Sequence, residues 1–369
     1  MAKRADVLVI GAGPAGIATA IAASLKGLHV TVLDYRKPPI EKACGEGLLP
    51  TAVVNLQSLG IHLDSRAGFP FRGIRFSDEE FSASARIARG TGYGVRRAEL
   101  HRILVERASQ LGVSFHWGTR VTGFDRQGAQ AGGVYFPCKW LVGADGQNST
   151  VRKWANLSPR WPRLARFGFS RHYAVVPWTD LVEVHWGPGC QIFLTPTGSD
   201  EICVALLSHD PQLRIDQALA YFPEVAERLK GARPLTGELG GLTALGRARG
   251  VVSGHVALVG DASFTVDGIS GQGLSLAFQQ ANTLAEAFAR EDLGYYEIAH
   301  REISRAPWRM TRLLLLMDQS TWLRRKVLRL FAGNPALFSK IMSAHMAEAA
   351  QETLKTREVL GLGWQVLRA

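Results

Sequence analysis

Cysteine is scarce in this chain and widely spread. Cys44, Cys138, Cys190 and Cys203 are the only four in 369 residues, with no CxxC pair and no His/Cys cluster. That pattern supports neither a metal centre nor a disulfide framework, and it fits a reducing, cytoplasmic compartment. Long apolar runs are missing too: none reaches the roughly 18 residues of a membrane-crossing helix. The opening MAKRADVLVIGAGPAG sets basic residues before an apolar stretch, as a signal peptide does. Asp6, the brevity of the stretch, its glycines and Pro14 mark a strand entering a turn instead. Internal repeats and low-complexity linkers are absent, and GxGxxG occurs once.

What is present is a globular, turn-rich composition, 46% hydrophobic and 20% charged with 39 glycines, large enough for an elaborated two-domain enzyme. The net charge of +11 is uneven: from residue 301 onward there are 12 Lys/Arg against 5 Asp/Glu. Such a tail is attracted to an anionic surface. A peripheral membrane contact is one reading and a helix with a wet basic face the other, while nucleic acid is not an expected partner.

Along the chain, 5–10 reads as a buried strand, 14–26 as an alanine-rich helix and 29–34 as a second strand, together a βαβ unit. Polar and apolar residues interleave from Phe71 to Val95, predicting antiparallel strands with a hairpin near Asp78–Glu80. A helix is expected over 96–112, strands over 113–124 and 133–143, short strands through 166–207 and helical text at 212–230. A buried strand returns at 255–260, before a long helix from about Gly271 to Arg290. Pro307 is expected to separate a helix at 294–305 from one at 308–331. The chain thus divides into a nucleotide-binding domain (1–66, 96–165, 246–290), an inserted sheet domain (67–95, 166–245) and a helical region (291–369).

Three motifs carry the chemistry. Gly11-Ala12-Gly13-Pro14-Ala15-Gly16 follows a strand and opens a helix: one glycine for the turn, one for phosphate approach, one for helix–strand packing. Asp34, closing the second strand, is placed to accept from a ribose. Asp145-Gly146 ends another strand, which alone would pass for an ordinary turn. In VALVGDASFTVDGISGQGL, Gly260-Asp261 caps a buried strand and Gly268-Ile269-Ser270-Gly271-Gln272-Gly273 leads into a helix. The N–H groups at that helix start would face an oxygen that gains negative charge.

In this order and spacing the motifs resemble the flavoprotein hydroxylase superfamily, which includes aromatic-ring hydroxylases and geranylgeranyl reductases. The resemblance spans about residues 5–300. It implies an α/β fold: a Rossmann-like FAD-binding domain with an inserted antiparallel β-sheet substrate domain and C-terminal helices. It implies FAD, with Gly11, Gly13, Pro14, Ala15 and Gly16 at the pyrophosphate and Asp34, Tyr35 and Arg36 at the adenosine end. Arg97 would reach the phosphate or ribityl region, Asp261 the pyrophosphate and ribityl side, and Gly271, Gln272, Gly273 and Leu274 the isoalloxazine. Asp145-Gly146 matches a motif linked in hydroxylases to both FAD and NAD(P)H, and Cys44, Gly45, Val121, Gly260 and Gly268 would be further cofactor contacts. The turn Cys44-Gly45-Glu46-Gly47-Leu48 lies where the superfamily places a loop beside the flavin ring. It looks like the Cys-Gly-Gly turn of geranylgeranyl reductases with Glu46 in a glycine's place. It resembles still more the flavoproteins that accompany type III polyketide synthases, which share CGEGL, PFRGIRF, a TP-G-DE element (Thr195 to Glu201) and GDAS.

For Cys44 two roles stand: a thiol acting on or near the ring, or a small residue packed under it. Glu46 is either a desolvated acid or base or a solvent-facing turn residue. The aromatic set Phe167, Phe169, His172, Tyr173, Trp178, Trp186 and Phe193 suits a sheet core more than a ligand wall, and His172 and His185 read as structural. The halogenase WxWxIP motif is missing, and CQIFLTP stands where geranylgeranyl reductases carry YxWxFP. With one GxGxxG, NAD(P)H would bind only transiently as electron donor, or electrons would come from another protein. The resemblance therefore implies a monooxygenase using NAD(P)H and O2 on a lipophilic aromatic or polyketide-like molecule. A reductase or dehydrogenase of a prenyl or fatty chain, and a flavoprotein partner modifying a protein substrate, are the alternatives. The tail adds an amphipathic element, with Leu313, Leu316, Met317, Leu323, Val327, Leu330 and Phe331 near one face and Arg312, Arg324, Arg325, Lys326 and Arg329 largely elsewhere.

Overall fold

Strands rich in Val, Ile and Leu with no polar alternation need cover on both faces, and the chain gives them that. The computed structural model describes residues 3–158 and 164–346; the remainder of the expected helical region, 347–369, lies outside the described residues. In one sheet the strand order is Val252–Ser253, Val256–Leu258, Val134–Gly143, Ala5–Ile10, Val30–Asp34, Ser114–Trp117. From Val256–Leu258 through Ser114–Trp117 the strands run parallel, with Ile10 opposite Gly143 on one side and Leu33 on the other. Their carboxyl ends therefore meet at one edge. Pro14–Leu25 packs between this sheet and the Gly273–Ala289 helix, burying Ile17, Ala18 and Ile21 against Leu8, Val142 and Phe278.

The second sheet runs Phe264–Thr265, Leu239–Arg247, Leu164–Ala174, Glu201–Ser208, Cys190–Gly198, Val182–Gly187, Gly73–Ser77, Ser82–Arg86. It departs from the antiparallel expectation at one junction: Gly73–Ser77 pairs parallel with Val182–Gly187. These two strands come from separate excursions of the chain, so no hairpin dictates their direction. The Asp78–Glu80 turn joins Gly73–Ser77 to Ser82–Arg86, as the sequence predicts.

Two corrections concern the C-terminal helices. The helix Leu293–Gln319 continues through Pro307, and the break falls at Ser320. Burial of Ile303, Leu314, Leu315 and Met317 outweighs the single backbone bond that proline removes. At Ser320 the side chain accepts from the Leu323 N–H at 3.2 Å and starts Thr321–Gly333. The amphipathic element is consequently two helices with different faces. Met317, Val327 and Phe331 are buried, whereas Leu313 and Leu316 are exposed. Arg324 is buried 3.7 Å from Asp78, and Arg325 meets Glu79 and Glu80 at 3.6 and 3.1 Å.

Candidate active site

Between the carboxyl edge of the parallel sheet and the face of the second sheet lies a chamber of about 750 Å³. The glycine turn forms one end. Gly11 has φ +108°, and a Cβ there would stand 2.4 Å from the Ala144 carbonyl oxygen. A Cβ on Gly16 would lie 1.9 Å from the Gly11 oxygen, so that glycine serves helix–strand packing and does not reach the chamber wall. Gly13 has nothing within 4 Å of where its Cβ would be and faces the chamber. Pro14–Leu25 begins there without a side-chain cap, leaving N–H groups free. Asp34 accepts from the Ala12 and Arg36 N–H groups, each at 2.7 Å. His101, unmarked by any sequence motif, donates from Nε2 to the Ala12 carbonyl at 3.0 Å and steadies the turn.

Tyr35 and Arg36 continue the wall, the guanidiniums of Arg36 and Arg120 lying 5.1 and 4.8 Å from the Tyr35 ring centre. Arg97, Val121, Asp145, Gly146, Gly260, Asp261, Gly268, Gly271, Gly273 and Leu274 also line the chamber. Asp145 accepts from the Thr150 and Val151 N–H groups through Oδ2, while its buried Oδ1 has no partner among the described residues. Asp261 meets Lys42 at 3.0 Å. Gln272 is the exception: it turns its Nε2 to the His345 carbonyl at 2.8 Å and leaves the wall. Gly273–Ala289 nevertheless starts at the chamber with no side-chain cap, after Gly271 at φ +64°.

The Cys44–Leu48 turn forms the chamber's middle. Glu46 sits at φ +59°, a strained value for a side chain other than glycine. It is buried, so the solvent-facing reading is overturned. Its Oε1 accepts from the Arg97 N–H at 3.0 Å, and Oε2 is 2.5 Å from His172 Nε2. On the other ring edge, His172 Nδ1 lies 3.2 Å from the half-buried Thr236 hydroxyl. Cys44 Sγ accepts from the Glu46 N–H at 3.3 Å, and the Cys203 thiol donates to the Cys44 carbonyl at 3.5 Å. Burial pushes the Cys44 thiol up, with Arg97 pulling it partly back, so it holds its proton at neutral pH. Sequence reasoning missed the Glu46–His172 pair because 126 positions separate its members.

Beyond the turn the wall is apolar, with Phe76, Val184, Phe193, Leu314 and Met342 drawn from the second sheet and the C-terminal helices, and Phe71 from a small sheet of Gly47–Leu48, Gly92–Gly94 and Phe69–Phe71. Of the aromatic set, Phe169 and Phe193 line the chamber while Tyr173 and Trp186 are core. A buried ion network, also unread in the sequence, ties these parts together. Arg166 pairs with Asp267 in the loop before the Gly273 helix, with Asp318 at 2.9 Å on the C-terminal helix, and with Gln191.

Residues 4–294 match the family model of an FAD binding domain. The chain belongs to that family. A menaquinone reductase of Mycolicibacterium smegmatis is 30% identical over 320 residues, covering 78% of this chain and 76% of that protein. Digeranylgeranylglycerophospholipid reductase 1 of Methanothermobacter thermautotrophicus is 28% identical over 74% of each chain. A solved flavoprotein/dehydrogenase from Cytophaga hutchinsonii shares the fold, with TM-score 0.84 over 99% of both chains at 19% identity. This protein is thus an FAD-dependent oxidoreductase.

The residues present fit FAD. Two long helices start uncapped at one chamber, and the open side of Gly13 is a cradle that any side chain would fill. The pyrophosphate would be held at Gly11–Ala15, and the ring's electron-rich edge at Gly271–Leu274. One strand joins the ring loop to the thiol turn. Thr243 Oγ1 accepts from the Gly268 N–H at 2.7 Å, and a Cβ on Gly241 would stand 4.0 Å from that of Ala43.

Proposed function

We propose that this FAD enzyme reduces carbon–carbon double bonds in a prenyl or similar long apolar chain. The observation that carries the reading is the place of the Cys44 thiol, kept protonated by burial, in the turn between the polar glycine-turn end of the chamber and its apolar walls. Adding two hydrogens across a double bond needs a hydride on one carbon and a proton on the other. Reduced FAD, when bound, supplies the hydride. Cys44 Sγ holds the proton, and the Glu46 N–H that donates to it at 3.3 Å fixes the thiol in the turn that also carries the buried Glu46–His172 pair. The apolar walls exclude water and align the chain. The two relatives above, by name reductases of menaquinone and of a digeranylgeranylglycerophospholipid, support the same chemistry over three-quarters of the chain. NAD(P)H, bound transiently, would be the electron source.

A second reading, oxygen insertion into an aromatic or polyketide-like molecule, is favoured by CQIFLTP standing in place of YxWxFP and by the type III polyketide synthase signatures. One experiment separates the two. Enzyme reduced without oxygen is mixed with a menaquinone or a polyprenyl lipid, and the product is weighed. Flavin reoxidation with a product two hydrogens heavier supports reduction. Product formed only in air, carrying labelled oxygen, replaces it with oxygen insertion.

A further inference from the structure

The outer side of the Leu293–Gln319 helix is left unused by the chamber. Its inner side supplies Met310 and Leu314 to the wall. Across the helix, Arg309, Arg312, Leu313 and Leu316 form one solvent-facing stripe, and Trp322 is exposed at the start of the next helix. Leu313 is 41% exposed and Leu316 50%, large values for apolar side chains one turn apart, and Trp322 is 58% exposed. Arg309 and Arg312 are exposed and carry no acidic partner among the described residues. The wider segment points the same way. From Ile303 to Met346 the sequence holds eight Lys/Arg and a single acid, Asp318. The Asp318 carboxylate faces inward, bonded to Arg166, Gln191 and His209. Among the described residues, therefore, no acid is paired with the stripe's arginines.

We infer that this stripe docks the protein on an anionic bilayer. The apolar side chains enter the interface and the two arginines meet lipid phosphates, a division of labour typical of helices that lie on membranes. The Thr321–Gly333 helix contributes Trp322 but not its own arginines. Arg324 and Arg325 are taken by the Asp78–Glu80 turn, and Arg329 lies over the Phe81 ring at 5.1 Å. The docked helix is also a chamber wall, so bilayer and hydrocarbon cavity are separated by the width of one helix. The inference rests on this surface and holds for either reaction above, so its failure and theirs are read separately.

Vesicle flotation of the full-length holoprotein tests it. Binding is expected to vesicles of phosphatidylcholine with phosphatidylglycerol, at least tenfold weaker to pure phosphatidylcholine, and lost at high salt. Arg309→Gln/Arg312→Gln should weaken binding severalfold and flatten its salt dependence. Leu313→Ser/Leu316→Ser/Trp322→Ser should abolish it, with flavin content and melting temperature unchanged as the fold control. Absence of binding, equal binding to both vesicle types, or variants that bind like the native chain would overturn the inference. So would sedimentation showing a dimer that Leu316→Ser dissociates, since the stripe would then belong to a second copy.

Discussion

Three glycines of one motif do three separable jobs, and the geometry around each says which substitution reveals which. A methyl on Gly16 would collide with the Gly11 backbone at 1.9 Å, so Gly16→Ala must push helix off strand. Overpacking of that kind costs about 1–3 kcal/mol or more, and a lowered melting temperature with poor soluble yield is the expected result. Gly13 has open space at its Cβ position. Gly13→Val should fold normally and purify without the visible flavin absorbance; bound flavin in that variant would show that the cradle lies elsewhere. Cys44 is the residue on which the proposed chemistry turns. Cys44→Ala should keep FAD yet lose on the order of 10²–10⁴ in anaerobic reduction rate, the usual contribution of a positioned acid. Because burial raises this thiol above its ordinary range, the native rate should be flat through neutral pH and fall only in alkali. A fall near neutrality would assign the proton elsewhere.

At the scale of elements, the C-terminal helices are held by groups that tolerate only one charge state. His300 and His345 are both pushed down to about 4 by burial, and each is neutral inside the fold. His300 Nε2 lies 3.0 Å from both Ser263 Oγ and Gln280 Nε2, and His345 Nε2 donates to the Ser270 carbonyl at 2.9 Å. The unfolded chain takes up these protons near the ordinary histidine value, about 6.5, while the folded chain resists until about pH 4. Below 6.5 the unfolded state binds more protons, so stability falls as pH drops and is fully present above that value. The loss is on the order of a few kcal/mol for the pair, seen as a melting temperature that declines between neutral pH and pH 4 and declines less in His345→Gln. Arg166 is the other tie. Arg166→Leu leaves Asp267 and Asp318 buried without their cation. A loss of about 3–5 kcal/mol follows for such a broken buried pair, together with weaker FAD retention, because Asp267 also accepts from the Ile269 N–H of the ring loop at 3.0 Å. Neither tie shows in sequence, since burial and partners are set only when distant segments pack. The helix that passes Pro307 illustrates the same limit: a local breaker was legible, the packing that overrode it was not.

For the molecule as a whole, the parallel sheet was legible because its central strands are mostly apolar and run into Gly11, Asp34, Asp145 and Asp261, signals read one segment at a time. The chamber's far end was not. Phe193 alternates with core residues along its strand, and Leu314 belongs to a helix whose apolar positions read alike on both faces. Only the closing of the helical cap over the second sheet makes those two residues neighbours of one cavity. That closure sets a length. If the apolar end accommodates the tail of a long substrate, filling it shortens what fits without touching the flavin end. Leu314→Trp or Val184→Phe should leave FAD content and the anaerobic reduction rate with short-chain analogues near native values. Longer chains should be reduced more slowly as each added isoprene unit meets the new side chain, because an overfilled dry pocket has no water to displace and must strain its walls. Rates would be compared across a homologous series of chain lengths. An equal slowdown at every length would mean that the tail leaves the chamber before reaching Leu314, and that the hydrocarbon wall serves the ring-proximal part of the substrate alone.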